Sequence, residues 1–322
     1  MKRLFLGIVV LSMLLNAGMT LAQSWPTKPI RFIVPTPAGT SPDSIARLLT
    51  DKLSRALGQA VVPENITGAG GLIASRTAAR AAPDGYTLYF SGTGALITDR
   101  YTQKNLGYDA DKDFVLIAMI YEEGSLGLAV HPDVPVKTLP DLIALAKQQP
   151  GKLSYGTTSV SLLILFGQWI TKLAGIDMLA VPYKAASQQM QDVLAGRIQV
   201  IISAPPQIEP FIKTGKLRAI AVDGSRPHPS LPGVANIYET FPGFRMSGMG
   251  ILAAPTGLPQ EIVQRLNPVM DKIVRDPEYV QALLGMGFLI NGAGTPPSIA
   301  AFLKDRRESW DKVMKGLNVQ PE

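Results

Sequence analysis

Apolar and polar positions along this chain alternate between two periods, one typical of strands and one typical of helices. The first clear example is an apolar run at residues 30–34, which suits a buried strand that ends at the prolines following it. Apolar residues then recur at helical spacing over 45–57, with Ser41 as the predicted N-cap, Pro42 at the first helical position and Gly58 as the stop. The pattern therefore predicts a strand, a short loop and a helix.

The same alternation continues through most of the sequence. The stretch 115–130 is strongly apolar and predicts a crossing into a second domain, whereas the proline-rich stretch 223–242 predicts a connection with little regular structure. Alternating strands and helices predict an α/β fold with mainly parallel sheets. Further strands are predicted at 60–63, 86–90, 152–155, 178–181, 199–203, 217–222 and 250–254. Further helices are predicted at 72–82, 139–148, from the loop at 156–161 to residue 173, and at 188–194, 260–275, 277–286 and 297–314.

Two loops rich in glycine and hydroxyl residues precede predicted helices, one at 39–41 and one at 156–161. Free backbone N–H groups and the positive end of the dipole make a helix N-terminus suitable for an anion. In open α/β sheets, ligands collect beyond the C-terminal ends of the strands, where both loops would lie. Two lobes with one such loop each predict a cleft for a solute that carries carboxylates, closed by a hinge motion.

Composition limits the setting of the protein. Residues 1–22 have the layout of a secretory signal, with Lys2 and Arg3 before an apolar run and a predicted cleavage after Ala22. No later stretch reaches the roughly 18 apolar residues of a spanning helix, so we expect a soluble, exported product. The absence of cysteine excludes disulfides and thiolate metal sites. The charge of +6 becomes +4 after loss of the two basic residues of the signal, and without a basic run nucleic acid is not an expected partner.

Residue types for catalysis are scarce. The two histidines, His131 and His228, stand beside prolines and are predicted in exposed turns, which leaves few members for a Ser-His-Asp triad or a metal site. The glycine-rich stretch 68–71 lacks the third glycine of a dinucleotide loop, and the acidic cluster 109–113 lacks the glycine and terminal glutamate of a calcium loop. The sequence therefore predicts no catalytic residue, no metal and no cofactor.

Motifs spread over the whole mature chain occur in one order. They are Pro26-Thr-Lys-Pro-Ile-Arg31, Val34-Pro-Thr-Pro-Ala-Gly39, Asn65-Ile-Thr-Gly-Ala-Gly-Gly71, Ala81-Ala-Pro-Asp-Gly-Tyr-Thr-Leu88, Pro150-Gly-Lys-Leu153, Val181-Pro-Tyr-Lys184, Asp192-Val-Leu-Ala-Gly196, Gly215-Lys-Leu-Arg-Ala-Ile-Ala-Val222 and Ala253-Ala-Pro-Thr-Gly-Leu-Pro259. Together they resemble the periplasmic substrate-binding proteins of tripartite tricarboxylate transporters, often called the Bug family.

The resemblance implies a two-lobed periplasmic binding protein of type II, a Venus flytrap in which crossover hinge segments join two Rossmann-like α/β domains. The first lobe is expected to comprise residues 23–123 and 245–322, and the second residues 124–244. The implied function is capture of a small organic carboxylate, a di- or tricarboxylate or an aromatic acid, between the lobes. The bound acid is then expected to pass to a transporter through transient contact with its membrane subunits. We expect the protein to be a periplasmic monomer.

The resemblance also implies that backbone amides and hydroxyls of loops in both lobes hold a carboxylate. The implied ligand-binding residues are Thr36, Ala38, Gly39, Thr40, Ser41, Asp43, Ser91, Thr93, Thr157, Thr158, Ser159, Ser161, Tyr183, Lys184, Ala185 and Ser203.

The chain departs from the family pattern where the ligand is expected. Thr40 and Ala185 stand at positions where glycine is usual, and Thr36 replaces a common aromatic residue. The apolar stretch 162–166 either lines a pocket for an aromatic or aliphatic acid or packs as ordinary helix core. We favour an acid without an amine, because no acidic residue for an ammonium group can be placed in the cleft. Two alternatives stay open: an exported α/β enzyme acting on a small acid, and a loaded receptor that signals to a sensor kinase.

Overall fold

The computed structural model describes residues 25–158, 161–224, 226–243 and 245–321. The predicted signal peptide and Ser159 lie outside the described residues, and the side chains of Thr158 and Ser161 are not described either. Two β-sheets, each with helices against it, organise the described chain. We name the six-stranded sheet with its helices the first lobe, and the five-stranded sheet with its helices the second lobe.

The first lobe is built from both ends of the described chain. Its strands are β1 Ile30–Val34, β2 Val61–Asn65, β3 Thr87–Gly92, β4 Phe114–Gly124, β10 Gly248–Pro255 and β11 Phe288–Leu289. They lie in the order β11-β4-β10-β3-β1-β2. Strands β1, β2 and β3 are parallel, whereas β10 runs antiparallel between β3 and β4.

The second lobe is built from the middle of the chain. Its strands are β5 Gly127–Val130, β6 Ser154–Thr158, β7 Leu179–Tyr183, β8 Val200–Ser203 and β9 Arg218–Val222, in the order β7-β6-β8-β5-β9. Here β6 is parallel to β7 and β8, and β5 is antiparallel to both of its neighbours. Both sheets thus contain antiparallel as well as parallel strand pairs, and the prediction of mainly parallel sheets was wrong. Strands β5 and β10 arrive from the other lobe instead of through a βαβ unit, so no crossover helix forces them to run parallel.

The helices confirm most of the predicted periodic segments. They are α1 Ser41–Leu57, α2 Leu72–Ala79, α3 Asp99–Thr102, α4 Leu139–Gln148, α5 Ser161–Ala174, α6 Ala186–Leu194, α7 Pro205–Lys213, α8 Ile237–Thr240, α9 Gln260–Val274, α10 Pro277–Gly285 and α11 Pro296–Gly316. Helix α1 shows the packing logic, because Ile45, Leu49 and Leu53 recur on one face and are fully buried. In the described part of the chain, none of the helices is long and apolar enough to span a bilayer.

Among the elements that were not predicted, two helices show why local patterns failed. Helix α7 was not predicted, because three prolines suppress its helical pattern. Pro205 and Pro206 fit the first turn, where a missing N–H costs nothing, but Pro210 lies in the interior. The short α8 lies inside the segment 223–242 that was predicted to have little regular structure, and it is held by a capping box from Asn236.

The chain passes between the two sheets twice. The first crossover, residues 125–126, joins β4 to β5, and the second crossover, residues 223–247, joins β9 to β10. The Asp223 amide donates to the Leu126 carbonyl at 2.7 Å, so the two crossovers run side by side at the start of the second. This arrangement agrees with the hinge expected from the sequence, and the exact lobe limits given above stay predictions.

Candidate functional site

A cavity of about 380 Å³ lies between the two lobes and is called the cleft below. Residues of β4, β10 and the first turn of α1 form its first-lobe wall, and residues of β8 and the first turns of α6 and α7 form its second-lobe wall. The first crossover forms part of its floor. The lining residues are Ser41, Pro42, Tyr121, Gly124, Ser125, Leu126, Leu163, Ala186, Gln189, Ile202, Ser203, Ala204, Gln207, Gly248, Met286, Gly287 and Phe288.

The first-lobe wall presents the uncapped start of α1. Its N-cap is Thr40, one residue before the predicted Ser41, which instead occupies the first helical position. The Thr40 hydroxyl makes no cap hydrogen bond, and it donates to the Pro37 carbonyl at 2.8 Å. Gly39 has φ +81°, a conformation that L side chains rarely adopt, and this lets the loop turn into the helix. The N–H groups of the first turn are therefore not covered by the cap residue's side chain.

Asp43 holds this loop in place from inside the lobe. Its side chain is 3% exposed, and one carboxylate oxygen accepts from the Gly39 amide at 2.9 Å and from Arg47 Nε at 2.9 Å. The other oxygen accepts from Asn65 Nδ2 at 2.8 Å. Burial alone would raise the pKa of the Asp43 carboxyl, but these hydrogen bonds outweigh burial and hold that pKa below its usual value. Asp43 therefore shapes the loop, and it is not among the groups that line the cleft.

The second-lobe wall presents two further helix starts. Helix α6 follows Ala185 and helix α7 follows Ala204, and neither N-cap residue makes a side-chain cap hydrogen bond. An alanine N-cap has no oxygen with which to cover first-turn N–H groups. Such groups are free in α6, whereas α7 begins with Pro205 and Pro206, which have none, and its Gln207 amide donates to the Ala204 carbonyl. Three helices of nine or more residues thus begin at the cleft without a side-chain cap, which concentrates positive partial charge there.

The middle of the cleft is apolar. Tyr121 and Phe288 lie with ring centroids 4.5 Å apart, and Leu126, Ile202 and Met286 complete this surface. Burial raises the pKa of the Tyr121 hydroxyl, so that side chain stays neutral at physiological pH. The cleft therefore offers apolar surface as well as polar groups.

Neutral side chains supply the remaining polar groups. The Ser203 hydroxyl donates to Gln207 Oε1 at 2.6 Å, and buried Gln189 donates through Nε2 to the Gly156 carbonyl at 2.9 Å. Among the described residues that line the cleft there is no Asp, Glu, Lys, Arg or His. Anion recognition here would depend on backbone and neutral side-chain donors.

Comparison with known proteins places this architecture. A family model described as "Tripartite tricarboxylate transporter family receptor" matches residues 45–319. The chain belongs to this receptor family. A UPF0065 protein of Bordetella bronchiseptica is similar to it, with 34% identity over 322 residues that cover 99% of this chain and 94% of that protein. The resemblance drawn from the motifs is confirmed.

Solved structures agree with this membership. A Rhodopseudomonas palustris protein solved with adipate is 30% identical, covers 92% of the receptor and 100% of its own chain, and has a TM-score of 0.75. MatC from Rhodopseudomonas palustris, solved with bound malate, is 26% identical over 90% of the receptor and 99% of its own chain, with a TM-score of 0.69. The predicted α/β fold with two lobes of the periplasmic-binding type is thereby confirmed.

The residues predicted as ligand-binding that have described side chains take different positions in the receptor. Ser41 and Ser203 line the cleft, while Thr36, Ala38, Gly39, Thr40 and Ala185 belong to the two segments that lead into α1 and α6. Four others form hydrogen bonds within the protein. The hydroxyl of fully buried Ser91 donates to the Ile251 carbonyl, and the Thr93 hydroxyl accepts from the Met249 amide. The hydroxyl of buried Thr157 donates weakly to the Val181 carbonyl, and the Tyr183 hydroxyl donates to the Asp192 carboxylate. Lys184 is exposed and does not line the cleft.

Several cleft residues were not predicted from the sequence. Gln207 lies on α7, the helix that the prolines concealed, and Gln189 lies on a helix whose first turn was predicted two residues too late. Tyr121 and Phe288 come from strands in segments that looked like ordinary apolar core. Tyr121 stands shortly before the first crossover, but no sequence signal identifies Phe288, which pairing of the two strands brings beside it.

One histidine prediction was wrong. His228 was expected in an exposed turn, yet its side chain is buried at 1% exposure, where its Nδ1 accepts from the Ser230 amide at 3.2 Å. The second crossover folds over the second lobe, so its proline-rich turn is covered. Burial lowers the pKa of the His228 imidazole and favours the neutral ring. Neither His228 nor half-buried His131 lines the cleft, and neither adds a catalytic group there.

Proposed function

We propose that the receptor captures a small organic carboxylate with an apolar body and no ammonium group. The observation that carries this proposal is the convergence of three uncapped helix starts on one cleft, two of which, those of α1 and α6, present free first-turn N–H groups. A carboxylate accepts hydrogen bonds from such N–H groups and is favoured by the helix dipoles. The adipate and malate bound by the two similar structures are acids of this general class.

The rest of the ligand follows from the cleft's lining. Tyr121, Phe288 and Leu126 offer hydrocarbon, which suits methylenes or an aromatic ring. An ammonium group would need a carboxylate partner once removed from water, and the described lining provides none. The ligand-binding groups are then the side chains of Ser41, Ser203 and Gln207 and the free first-turn amides that follow Thr40 and Ala185, because the Gly39 amide is held by Asp43.

The cellular setting completes the proposal. The protein would be exported by a signal peptide cleaved after Ala22, would act in the periplasm as a monomer and would pass its ligand to the membrane subunits of a tripartite transporter. It would act without catalysis and without nucleic acid. Family membership as a transporter receptor supports this setting.

A thermal-shift screen tests the ligand class. Adipate, malate and benzoate are compared with their neutral amides and with glutamate, because a ligand that binds only the folded state raises Tm. We expect at least one acid to raise Tm while its amide does not. A panel in which no acid stabilises the protein, or in which only glutamate does, contradicts the proposal.

Two further measurements separate the alternatives. Chromatography of each acid after incubation with stoichiometric protein should show no product, and steady product formation would favour the enzyme. Uptake of a stabilising acid by a deletion strain should fall if the receptor feeds a transporter. Unchanged uptake with an altered transcriptional response would favour the sensor.

A further inference from the structure

A group of buried ionisable side chains lies where the two crossovers meet. Asp223 begins the second crossover and is fully buried, and Glu123, at the end of β4, is 2% exposed. Arg306 of α11 is 3% exposed and bonds Glu123 Oε1 through a guanidinium nitrogen at 3.2 Å. We call these three residues the hinge cluster.

The hinge cluster contains two acids and one base. If both carboxyls were ionised, the buried charge would be negative by one unit, because Arg306 balances only one of them. Arg306 pairs directly with Glu123, whereas neither oxygen of Asp223 accepts a hydrogen bond of ordinary length from the described residues. An unpaired buried charge is expensive, so the second carboxyl favours its protonated form.

The other groups around Asp223 do not supply the missing positive charge. The Tyr238 hydroxyl, from α8, faces Asp223 and stabilises its charged form only in part. Further along the second crossover, buried His228 favours its neutral form, and Arg226 donates to Asn291 and to the Ile290 carbonyl. Burial first, and then the charge of Glu123, raise the pKa of the Asp223 carboxyl to about 7, against the opposing effect of Arg306.

The cluster also lies at the mechanical joint. The Asp223 amide donates to Leu126, and a side chain built on Gly224 would place its Cβ 3.3 Å from Glu123 Oε2 and 3.4 Å from the Ser125 hydroxyl. Glu123 is followed directly by Gly124, Ser125 and Leu126, which line the cleft. A change of charge in the cluster therefore acts on the segments that any rotation of the lobes must bend.

We propose that Asp223, with Glu123 and Arg306, forms a proton-binding site in the hinge, and that the bound proton stabilises the close packing of the two crossovers. Below neutral pH, the site holds one proton and is electrically balanced. At higher pH the proton leaves Asp223, and the uncompensated carboxylate favours hydration and loosening of the joint. This goes beyond the capture of an acid and does not depend on which acid is bound.

A direct test is an infrared pH titration of the wild-type receptor. A protonated carboxyl group has a carbonyl-stretch band distinct from that of a carboxylate. We expect such a band at about pH 6 that is lost on titration to about pH 9, and that is missing from Asp223→Asn at both values. A wild-type protein without the band at pH 6, or a band that persists in Asp223→Asn, overturns the proposal.

Stability provides an independent readout. Because the folded pKa is higher than the unfolded one, the folded state keeps a proton that the unfolded state has lost, so stability falls as pH rises between these values. The folded-to-unfolded ratio of wild type, divided by that of Asp223→Asn, should fall by up to about tenfold per pH unit between pH 5 and pH 7. Equal pH profiles of the two proteins would contradict the proposal.

Two further variants locate the effect. Glu123→Gln removes the neighbouring negative charge, so the Asp223 transition should move to lower pH. Asp305→Asn, on the same helix as Arg306 but in an exposed pair with Arg245, should leave the profile of wild type unchanged. A Glu123→Gln transition at unchanged pH would show that the two carboxyls do not share the site.

Discussion

The helix starts of this receptor fall into two regions that are built differently. At the cleft, α1, α6 and α7 begin after Thr40, Ala185 and Ala204, and none of these residues caps its helix with a side chain. Away from the cleft, α4, α10 and α11 begin after Thr138, Asp276 and Thr295, and each of these caps its helix. A side-chain cap stabilises a helix by about 1 kcal/mol, so the cleft helices forgo stability that the others have.

Missing caps also occur away from the cleft. Helices α2 and α9 also lack a side-chain cap, and their first residues do not line the cleft. A missing cap alone therefore does not mark a binding site. What distinguishes α1, α6 and α7 is that they begin around one cavity whose described lining has no ionisable side chain except neutral Tyr121. Of the three, α1 and α6 present free first-turn N–H groups to it. The ligand would serve as the shared cap.

The largest effect should come from removing a cleft amide. Ser41→Pro deletes the N–H at the first position of α1, where proline is well tolerated. We expect the best acid of the screen to bind about 10- to 100-fold more weakly, because a hydrogen bond to a charged group contributes about 1.5–3 kcal/mol. Isothermal calorimetry measures the loss.

Two controls belong to this prediction. Ser41→Ala removes the hydroxyl but keeps the amide, and should lose less affinity. Gln260→Pro makes the same change at the start of α9, which does not line the cleft, and should bind as wild type does. If Ser41→Ala is as damaging as Ser41→Pro, the hydroxyl and not the amide holds the acid.

The next effect concerns the group that holds the first loop in place. Asp43→Asn should lower the free energy of unfolding by about 1–3 kcal/mol at pH 7, because it weakens buried charge-assisted bonds to Gly39 and Arg47. The lowered pKa of Asp43 means that its contribution is present above the unfolded value of about 4 and is lost as pH falls through the folded value. Urea denaturation at pH 7 and near pH 3 checks both parts.

Its matched control lies on the same helix. Asp51 pairs with Arg55 at the same four-residue spacing, but both side chains are mostly exposed. Asp51→Asn should change stability by no more than about 0.5 kcal/mol at either pH. Equal losses in the two variants would mean that burial of Asp43 adds nothing.

The sequence predicted the two regions unequally. The start of α1 was found to within one residue, because an apolar strand, prolines, a glycine and a helical period all lie within a few positions. The start of α7 was missed because its prolines locally disfavour a helix. The helix forms nevertheless, because packing that buries Ile208 outweighs this local preference. Tyr121 and Phe288 were missed because pairing across the sheet, not spacing along the chain, brings them together. Local patterns reveal helix starts, but which starts share a cleft depends on topology.

A smaller effect is expected at a peripheral cap. Thr295 accepts from the Ser298 amide in a capping box at the start of α11. Thr295→Ala should lower the free energy of unfolding by about 1 kcal/mol and leave acid affinity unchanged. Chemical denaturation and calorimetry on the same samples measure both quantities. A loss of affinity here would mean that caps outside the cleft also tune binding, and the contrast between the two regions would fail.

The smallest effect tests the contrast from the opposite side, by adding a cap where the receptor has none. Ala185 has the extended backbone of an N-cap, with φ −138° and ψ 142°, so serine fits there without strain. Ala185→Ser should raise the free energy of unfolding by about 0.5–1 kcal/mol, since its hydroxyl can accept from a free first-turn N–H. The same hydroxyl competes with the ligand, so acid affinity should fall severalfold. Ala185→Gly, which adds no acceptor, should keep its affinity. A serine variant that gains stability and binds the acid unchanged would show that α6 does not contribute its amides, and that the start of α1 holds the ligand without it.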